Sequence, residues 1–192
     1  KSELLLALQK ELMLRKNYLT KGELISTIYF GGGTPSILSR EELSRIFDTI
    51  YSNYNISASA EITLEANPED LNYEKLKALK NTPVNRFSIG IQSFFEDDLK
   101  FMNRAHSVQK AVASVKGAQD AGFENISIDL IYGTPTLSDE NWKQNLHTAF
   151  DLKVTHISSY CLTVEEKTAL HKFVQTGKVK NVDEEKSATQ FE

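Results

Sequence analysis

Five short stretches of this chain combine residue types that could do chemistry. They are Gly31-Gly-Gly-Thr-Pro35, Glu65-Ala-Asn-Pro68, Gln92-Ser93, Asp129 with Tyr132-Gly-Thr-Pro135, and Tyr160-Cys-Leu162. Two carboxylates and an amide at equivalent strand ends shift the balance from a structural role towards a site. Three consecutive glycines let the backbone approach a ligand closely and offer it N–H and C=O groups. Glu65 and Asp129 could also serve as a general acid and base. Each feature has a structural reading as well. A carboxylate can cap a turn or pair with a buried cation such as Arg86, and a glycine run can simply make a tight turn.

Other chemistries lack their residues. No Gly-Lys-Ser/Thr loop and no Gly-x-Gly-x-x-Gly opening a helix is present, so no standard phosphate-binding loop is. His106, His147, His156 and His171 show no metal-ligand spacing. His147, His156 and His171 read as surface or turn residues. His106, in Met102-Asn-Arg-Ala-His-Ser107, falls near a strand end. Cys161 is the only cysteine and reads as a small core residue. It allows no intrachain disulfide and no multi-cysteine metal site.

The elements that position these residues follow from periodicity and capping. Strands are expected at Ser26–Phe30, Ala60–Ala66, Arg86–Gln92, Asn125–Tyr132 and His156–Cys161, from their β-branched and aromatic runs. Helices are expected from Ser2 to about Tyr18, after a Ser39/Glu42 capping box, at Tyr73–Lys80, after a Ser93/Glu96 capping box, from Ser107 to Gly122, and after Ser138 with a Leu137/Trp142 staple. Asp183-Glu-Glu-Lys186 reads as a solvated helix start. The landmarks Phe30, Glu65, Gln92, Asp129 and Tyr160 follow one another at similar intervals, each near the length of one βαβ unit. Strand then helix at that interval means right-handed βαβ units and a parallel sheet. The similar intervals fit part of a (β/α) barrel better than a doubly wound sheet.

Alternation sets the two faces of that sheet. Ile62 and Leu64, Phe87, Ile89 and Ile91, and Ile126, Ile128 and Leu130 share one face, suited to packing on helices. Thr63, Glu65, Ser88, Gly90, Gln92, Ser127 and Asp129 share the other. If that face points inward, the lumen is open and polar. In parallel α/β folds ligands lie at the carboxyl ends of the strands, where these motifs fall.

Composition excludes broad classes. Hydrophobic residues make up 40% and charged residues 25% of the chain. That is an ordinary globular balance, here for a single domain over residues 1–192. With 22 Lys and Arg against 26 Asp and Glu, the net charge is −4. This argues against a general nucleic-acid or anionic-membrane binder. Apolar runs fall far short of the ~20 residues that span a bilayer. No basic start followed by an apolar core marks a signal peptide. A cytoplasmic protein is the expectation.

Six motifs in order resemble one family. Tyr29-Phe-Gly-Gly-Gly-Thr-Pro-Ser36, Glu65-Ala-Asn-Pro68, Arg86-Phe-Ser-Ile-Gly-Ile-Gln-Ser-Phe94, Asn103-Arg-Ala-His106, Asp129-Leu-Ile-Tyr-Gly-Thr-Pro135 and Ser159-Tyr-Cys-Leu162 are similar to the radical S-adenosylmethionine (SAM) proteins related to oxygen-independent coproporphyrinogen III oxidase. The Gln-Ser-Phe and Arg-x-His forms look more like the heme-chaperone branch than the true oxidase. The resemblance runs from about residue 25 to 170. It implies a partial barrel binding a 4Fe–4S cluster and SAM at the strand ends, with porphyrinogen or heme as the partner of the complete protein. In the oxidases, a radical formed from SAM leads to loss of CO₂ from two propionates. In the chaperone branch, heme is bound and handed on.

Carried over by position, Gly32, Gly33 and Thr34 would run along the methionine part of SAM. Arg104 would pair with its carboxylate, Glu65, Gln92 and Asp129 would bind its amino group and ribose, and Thr163 would lie near the adenine. The family's three cluster cysteines follow a strand expected to lie upstream of Lys1. The fold expectation is therefore a barrel truncated at both ends, lacking the first strand and cluster loop. Such a chain is expected to hold no cluster and to be inactive alone, whatever its parent protein catalyses. Open edges at Ser26–Phe30 and His156–Cys161 predict self-association. Two readings compete with this one: a cluster-independent (β/α) enzyme using Glu65 and Asp129 as acid and base, and a non-catalytic remnant.

Overall fold

The structure, a computed structural model, describes residues 1–20 and 22–192. Its sheet has five parallel strands: β1 (Leu24–Phe30), β2 (Asn55–Ala66), β3 (Arg86–Gln92), β4 (Asn125–Tyr132) and β5 (His156–Cys161). The strands lie in sequential order, β1 to β5, as in a half-barrel. A doubly wound sheet would reverse direction at a switch point; this one does not. β1 and β5 are the two edges, as expected.

Eight helices accompany the strands among the described residues: α1 (Ser2–Leu14), α2 (Arg40–Asn53), α3 (Tyr73–Leu79), α4 (Glu96–Phe101), α5 (Val108–Asp120), α6 (Asp139–Asp151), α7 (Ala169–Gln175) and α8 (Glu184–Phe191). The Ser39/Glu42 capping box is present in both directions. Asn72, Ser107 and Ser138 also cap through their side chains. Gly122, at φ 84°, turns the chain after α5. Leu137 and Trp142 are both buried in the core at the start of α6.

Three expectations fail locally. Ser2 lies inside α1, which starts from Lys1 without a side-chain cap and ends at Leu14 rather than near Tyr18. No residue of α1 is buried, and beyond its last turn, where the Tyr54 hydroxyl donates to the Leu12 carbonyl at 2.8 Å, the chain leaves the helix. Ser93 and Glu96 do not form a capping box. The Ser93 hydroxyl instead donates to buried Asp98 at 2.7 Å, and Glu96 accepts from the Val108 N–H at 2.8 Å. Cys161 is exposed rather than in the core, because it ends the edge strand β5.

The two sheet faces divide as alternation predicts. Ile62, Leu64, Phe87, Ile89, Ile91, Ile126, Ile128 and Leu130 are buried on the convex side in one core with Leu43, Phe47, Leu79, Val115 and Ala149 from the helices. Each such side chain contributes about 1.5–3 kcal/mol through burial. Asp98 is 1% exposed and accepts from the hydroxyls of Ser93, Thr134 and Thr136. It ties the turn after β3 to the turn after β4, which is why both polar turns can sit close together. Asp183, Glu184 and Glu185 are solvated as expected, while one side of α8 docks. Ser187 and Gln190 are buried, and Gln190 accepts from the Gly133 N–H at 2.8 Å.

Candidate functional site

At the carboxyl ends of the strands lies a cavity of about 250 Å³. Its lining includes Gly33 and Thr34 after β1, Glu65 and Asn67 at the end of β2, Ser88, Gly90 and Gln92 of β3, Arg104 from the α4–α5 turn, Asp129 of β4 and Tyr160 of β5. Every strand contributes. The volume falls below the ~300–1,000 Å³ of enclosed small-molecule sites, as suits a trough between two edge strands that do not meet.

Glu65 organises the first side. Its Oε1 accepts from the Tyr29 hydroxyl and its Oε2 from the Gly32 N–H, both at 3.0 Å. Gly32 and Gly33 have φ of 77° and 64°, a backbone that only glycine adopts in succession without cost. The glycine run is therefore more than a turn: it brings a main-chain donor onto the carboxylate. Burial raises the pKa of the Tyr29 phenol, and Glu65 beside it adds to the effect.

Asp129 forms the opposite side. It accepts from the Ser88 hydroxyl at 3.2 Å. Burial raises its pKa above the ordinary carboxylate value; the hydroxyls of Ser88 and Ser158 partly offset this, and Glu65 adds to the rise. Arg86 does not pair with Glu65 or Asp129 by direct contact. It donates to Thr63 at 3.1 Å and lies 3.9 Å from Glu61, at the far end of the lumen.

Arg104 is placed by a local rule. Asn103 takes φ 52°, a left-handed conformation that asparagine tolerates, and the Arg104 N–H closes back on the Leu99 carbonyl at 2.8 Å. The turn that ends α4 so carries a guanidinium to the rim of the cavity. Partial desolvation at the cavity rim lowers its pKa from the ordinary arginine value, while Glu69 and Asp129 pull it back up. Gln92 is 7% exposed and also left-handed, at φ 69°.

Six of the eight residues assigned from sequence therefore line one cavity: Gly33, Thr34, Glu65, Gln92, Arg104 and Asp129. Gly32 joins them through Glu65. Thr163 stands apart, exposed beyond β5, with its hydroxyl donating to Glu165 at 3.2 Å. Sequence reasoning left out Ser88, Asn67, Tyr160 and Tyr29 as site residues. Alternation already put Ser88 on the polar face, and Asn67 and Tyr160 stood in the strand-end motifs.

A cation beside two carboxylates, an amide and free main-chain groups fits a zwitterion carrying hydroxyls, which SAM is. The same chain does not fit a 4Fe–4S cluster. Three thiolates are needed to leave one iron open, and only Cys161 is present. Among the described residues no group of three His, Cys, Asp or Glu could hold a metal ion. No helix described is long and apolar enough to cross a membrane.

A sequential half-barrel with such a cavity at its strand ends defines a class. Residues 8–149 match the Radical SAM superfamily, and the chain belongs to it. Among its relatives are the heme chaperone HemW of Bacillus subtilis, 39% identical over 88% of this chain and 45% of that protein, and HemW of Escherichia coli, 38% identical over 77% and 39%. The chain thus spans less than half the length of these relatives. The coproporphyrinogen III oxidase HemN of Escherichia coli, a radical SAM enzyme, superimposes with a TM-score of 0.83 at 26% identity, over 99% of this chain and 43% of that one. The archaeal Elp3 of Methanocaldococcus infernus shares the fold, with a TM-score of 0.76 at 19% identity over 97% of this chain and 48% of that one.

Proposed function

We propose that this chain is the SAM-binding core of a radical SAM protein of heme metabolism, of the heme-chaperone kind rather than the oxidase kind. The observation that carries the reading is the convergence of Gly33, Thr34, Glu65, Gln92, Arg104 and Asp129 on one cavity. Arg104 would pair with the carboxylate of SAM, a role suited to its forked donors. Gly32, Gly33 and Thr34 would run along the methionine part. Glu65, Gln92 and Asp129 would bind the amino group and ribose hydroxyls. The Thr163 hydroxyl donates to Glu165 outside the cavity lining, so its contact with adenine would be a peripheral one.

In the parent protein a 4Fe–4S cluster would supply the electron that splits SAM. Its ligands would come from residues outside this chain, and the chain alone performs no radical step. The chaperone branch is favoured because the curated relatives at 36–39% identity include several named heme chaperones. Glu65 and Asp129 are not favoured as a hydrolytic acid/base pair, because the relatives of this chain are radical SAM proteins. The unpaired sides of β1 and β5 support self-association of the chain.

The test is direct. SAM titrated into the wild-type chain should bind, and Arg104→Ala should weaken it while the fold persists. Equal affinity in both would overturn the assignment. For the parent protein, heme binding without coproporphyrinogen turnover is expected; turnover would move it to the oxidase branch. Light scattering at rising concentration should show a growing mass, and a constant monomer mass would refute self-association.

A further inference from the structure

His106 belongs to none of the roles above, yet its side chain is 2% exposed and lies beneath the site. Its Nε2 is 3.1 Å from the Ile91 carbonyl, and its Nδ1 is 3.4 Å from Glu69 Oε2. We propose that His106 is a positioning residue whose ring fixes the Ile91 carbonyl and thereby the left-handed backbone of Gln92.

The argument begins at the irregular end of β3. Its register with β4 shifts between Ile89 and Gln92, so Ile91 leaves the ladder. Ile91 is fully buried. A buried carbonyl without a partner costs about 1–3 kcal/mol. The Ser93 N–H at 2.9 Å and the His106 ring supply its partners. The next residue, Gln92, sits at φ 69°. A non-glycine residue there costs about 1–3 kcal/mol and persists only where its surroundings over-determine it.

Those surroundings are visible on both sides. Before Gln92, His106 holds Ile91; after it, Asp98 holds the Ser93 hydroxyl at 2.7 Å. A Cβ at Gly90 would stand 2.8 Å from Gln92 Nε2, so the absence of a side chain there makes room for the amide. Two clamps and one gap thus fix a single cavity-lining amide. His106 also closely follows Arg104, so the ring that secures β3 anchors the turn that presents the guanidinium. Glu69, on the turn Pro68–Asp70 after β2, lies on the third side of the ring.

The link to cofactor affinity rests on the SAM reading; the link to Gln92 does not. The experiment compares wild type, His106→Gln and His106→Leu in the isotopically labelled full chain. It reads the Gln92 Cα and Cβ chemical shifts, which report the sign of φ, together with the affinity for SAM. His106→Leu should move the Gln92 shifts towards extended values and weaken SAM about tenfold, the equivalent of one well-placed buried hydrogen bond. His106→Gln keeps an N–H donor and should restore both. Unchanged Gln92 shifts in His106→Leu would overturn the proposal; shifts that move while SAM binds as tightly as before would uphold the clamp and take Gln92 out of the SAM site. If wild type binds no SAM, the cofactor reading fails, and the Gln92 shifts still decide the clamp. Should His106→Leu not fold, the wild-type ring decides it. An Nε2–H proton that exchanges slowly with solvent supports the clamp, and an Nδ1–H tautomer with a rapidly exchanging proton refutes it.

Discussion

The two faces of this sheet are made by alternate residues of the same strands, and they do opposite work. On β3, Phe87, Ile89 and Ile91 are fully buried among helices, while Ser88, Gly90 and Gln92 line the cavity. On β4, Ile128 and Leu130 flank Asp129 in the same way. The convex face gains stability from apolar burial. The concave face gives some of it up: a carboxylate is partly desolvated at Asp129, and a side chain is held left-handed at Gln92. A shift of one residue in register would exchange the faces, so the core that folds the chain also fixes which groups reach the ligand.

The largest expected effect tests the convex face. Phe87→Ala removes a fully buried ring that packs 4.6 Å, centroid to centroid, from Phe123. It should cost about 3–5 kcal/mol in chemical denaturation. A loss under about 1 kcal/mol would mean that the apolar face does not carry the fold.

Next comes the concave face. Arg104→Ala should lower SAM affinity by about 10–100-fold, in line with about 1.5–3 kcal/mol for hydrogen bonds to charged groups. Stability should change by no more than about 0.5 kcal/mol, because the residue is exposed. A variant that unfolds instead would break the division between the faces.

Much of that division is legible in the sequence, because period-2 alternation and capping are local signals. Ile62-Thr-Leu-Glu65 states both faces of β2 in one short run, and Ser39 with Glu42 announces α2. What local patterns miss is decided by distant partners. Ser93 and Glu96 have the right spacing for a capping box, but buried Asp98 and the Val108 N–H claim them. Cys161 looks like a core residue until β5 turns out to be an edge. The left-handed Gln92 carries no glycine or asparagine to signal it. On the clamp proposed above, its conformation comes from His106, beyond the next helix, and from the bulge beside β4.

Asp129→Asn should separate the demands of stability and binding. The folded pKa is raised by burial, so between the ordinary value of 3.8 and the raised one the folded chain holds more protons than the unfolded chain. Stability therefore falls as pH rises through that window. The amide cannot ionise and should remove this slope. At neutral pH its melting temperature should rise. SAM affinity should fall, because the charged acceptor is gone. A variant that is less stable at neutral pH would show that Asp129 holds the fold together rather than the ligand.

The smallest effect sharpens the boundary of the site. Thr163→Ala should change SAM affinity by less than about twofold, since removing one exposed neutral hydroxyl bond costs about 0.5 kcal/mol or less. The Thr163 hydroxyl already donates to Glu165, and the residue lies outside the cavity lining. Titration of SAM into this variant beside Arg104→Ala measures where the concave face stops acting. A tenfold loss would extend the site past β5, along the edge strand, and give the Thr163 side chain a direct part in holding the adenine.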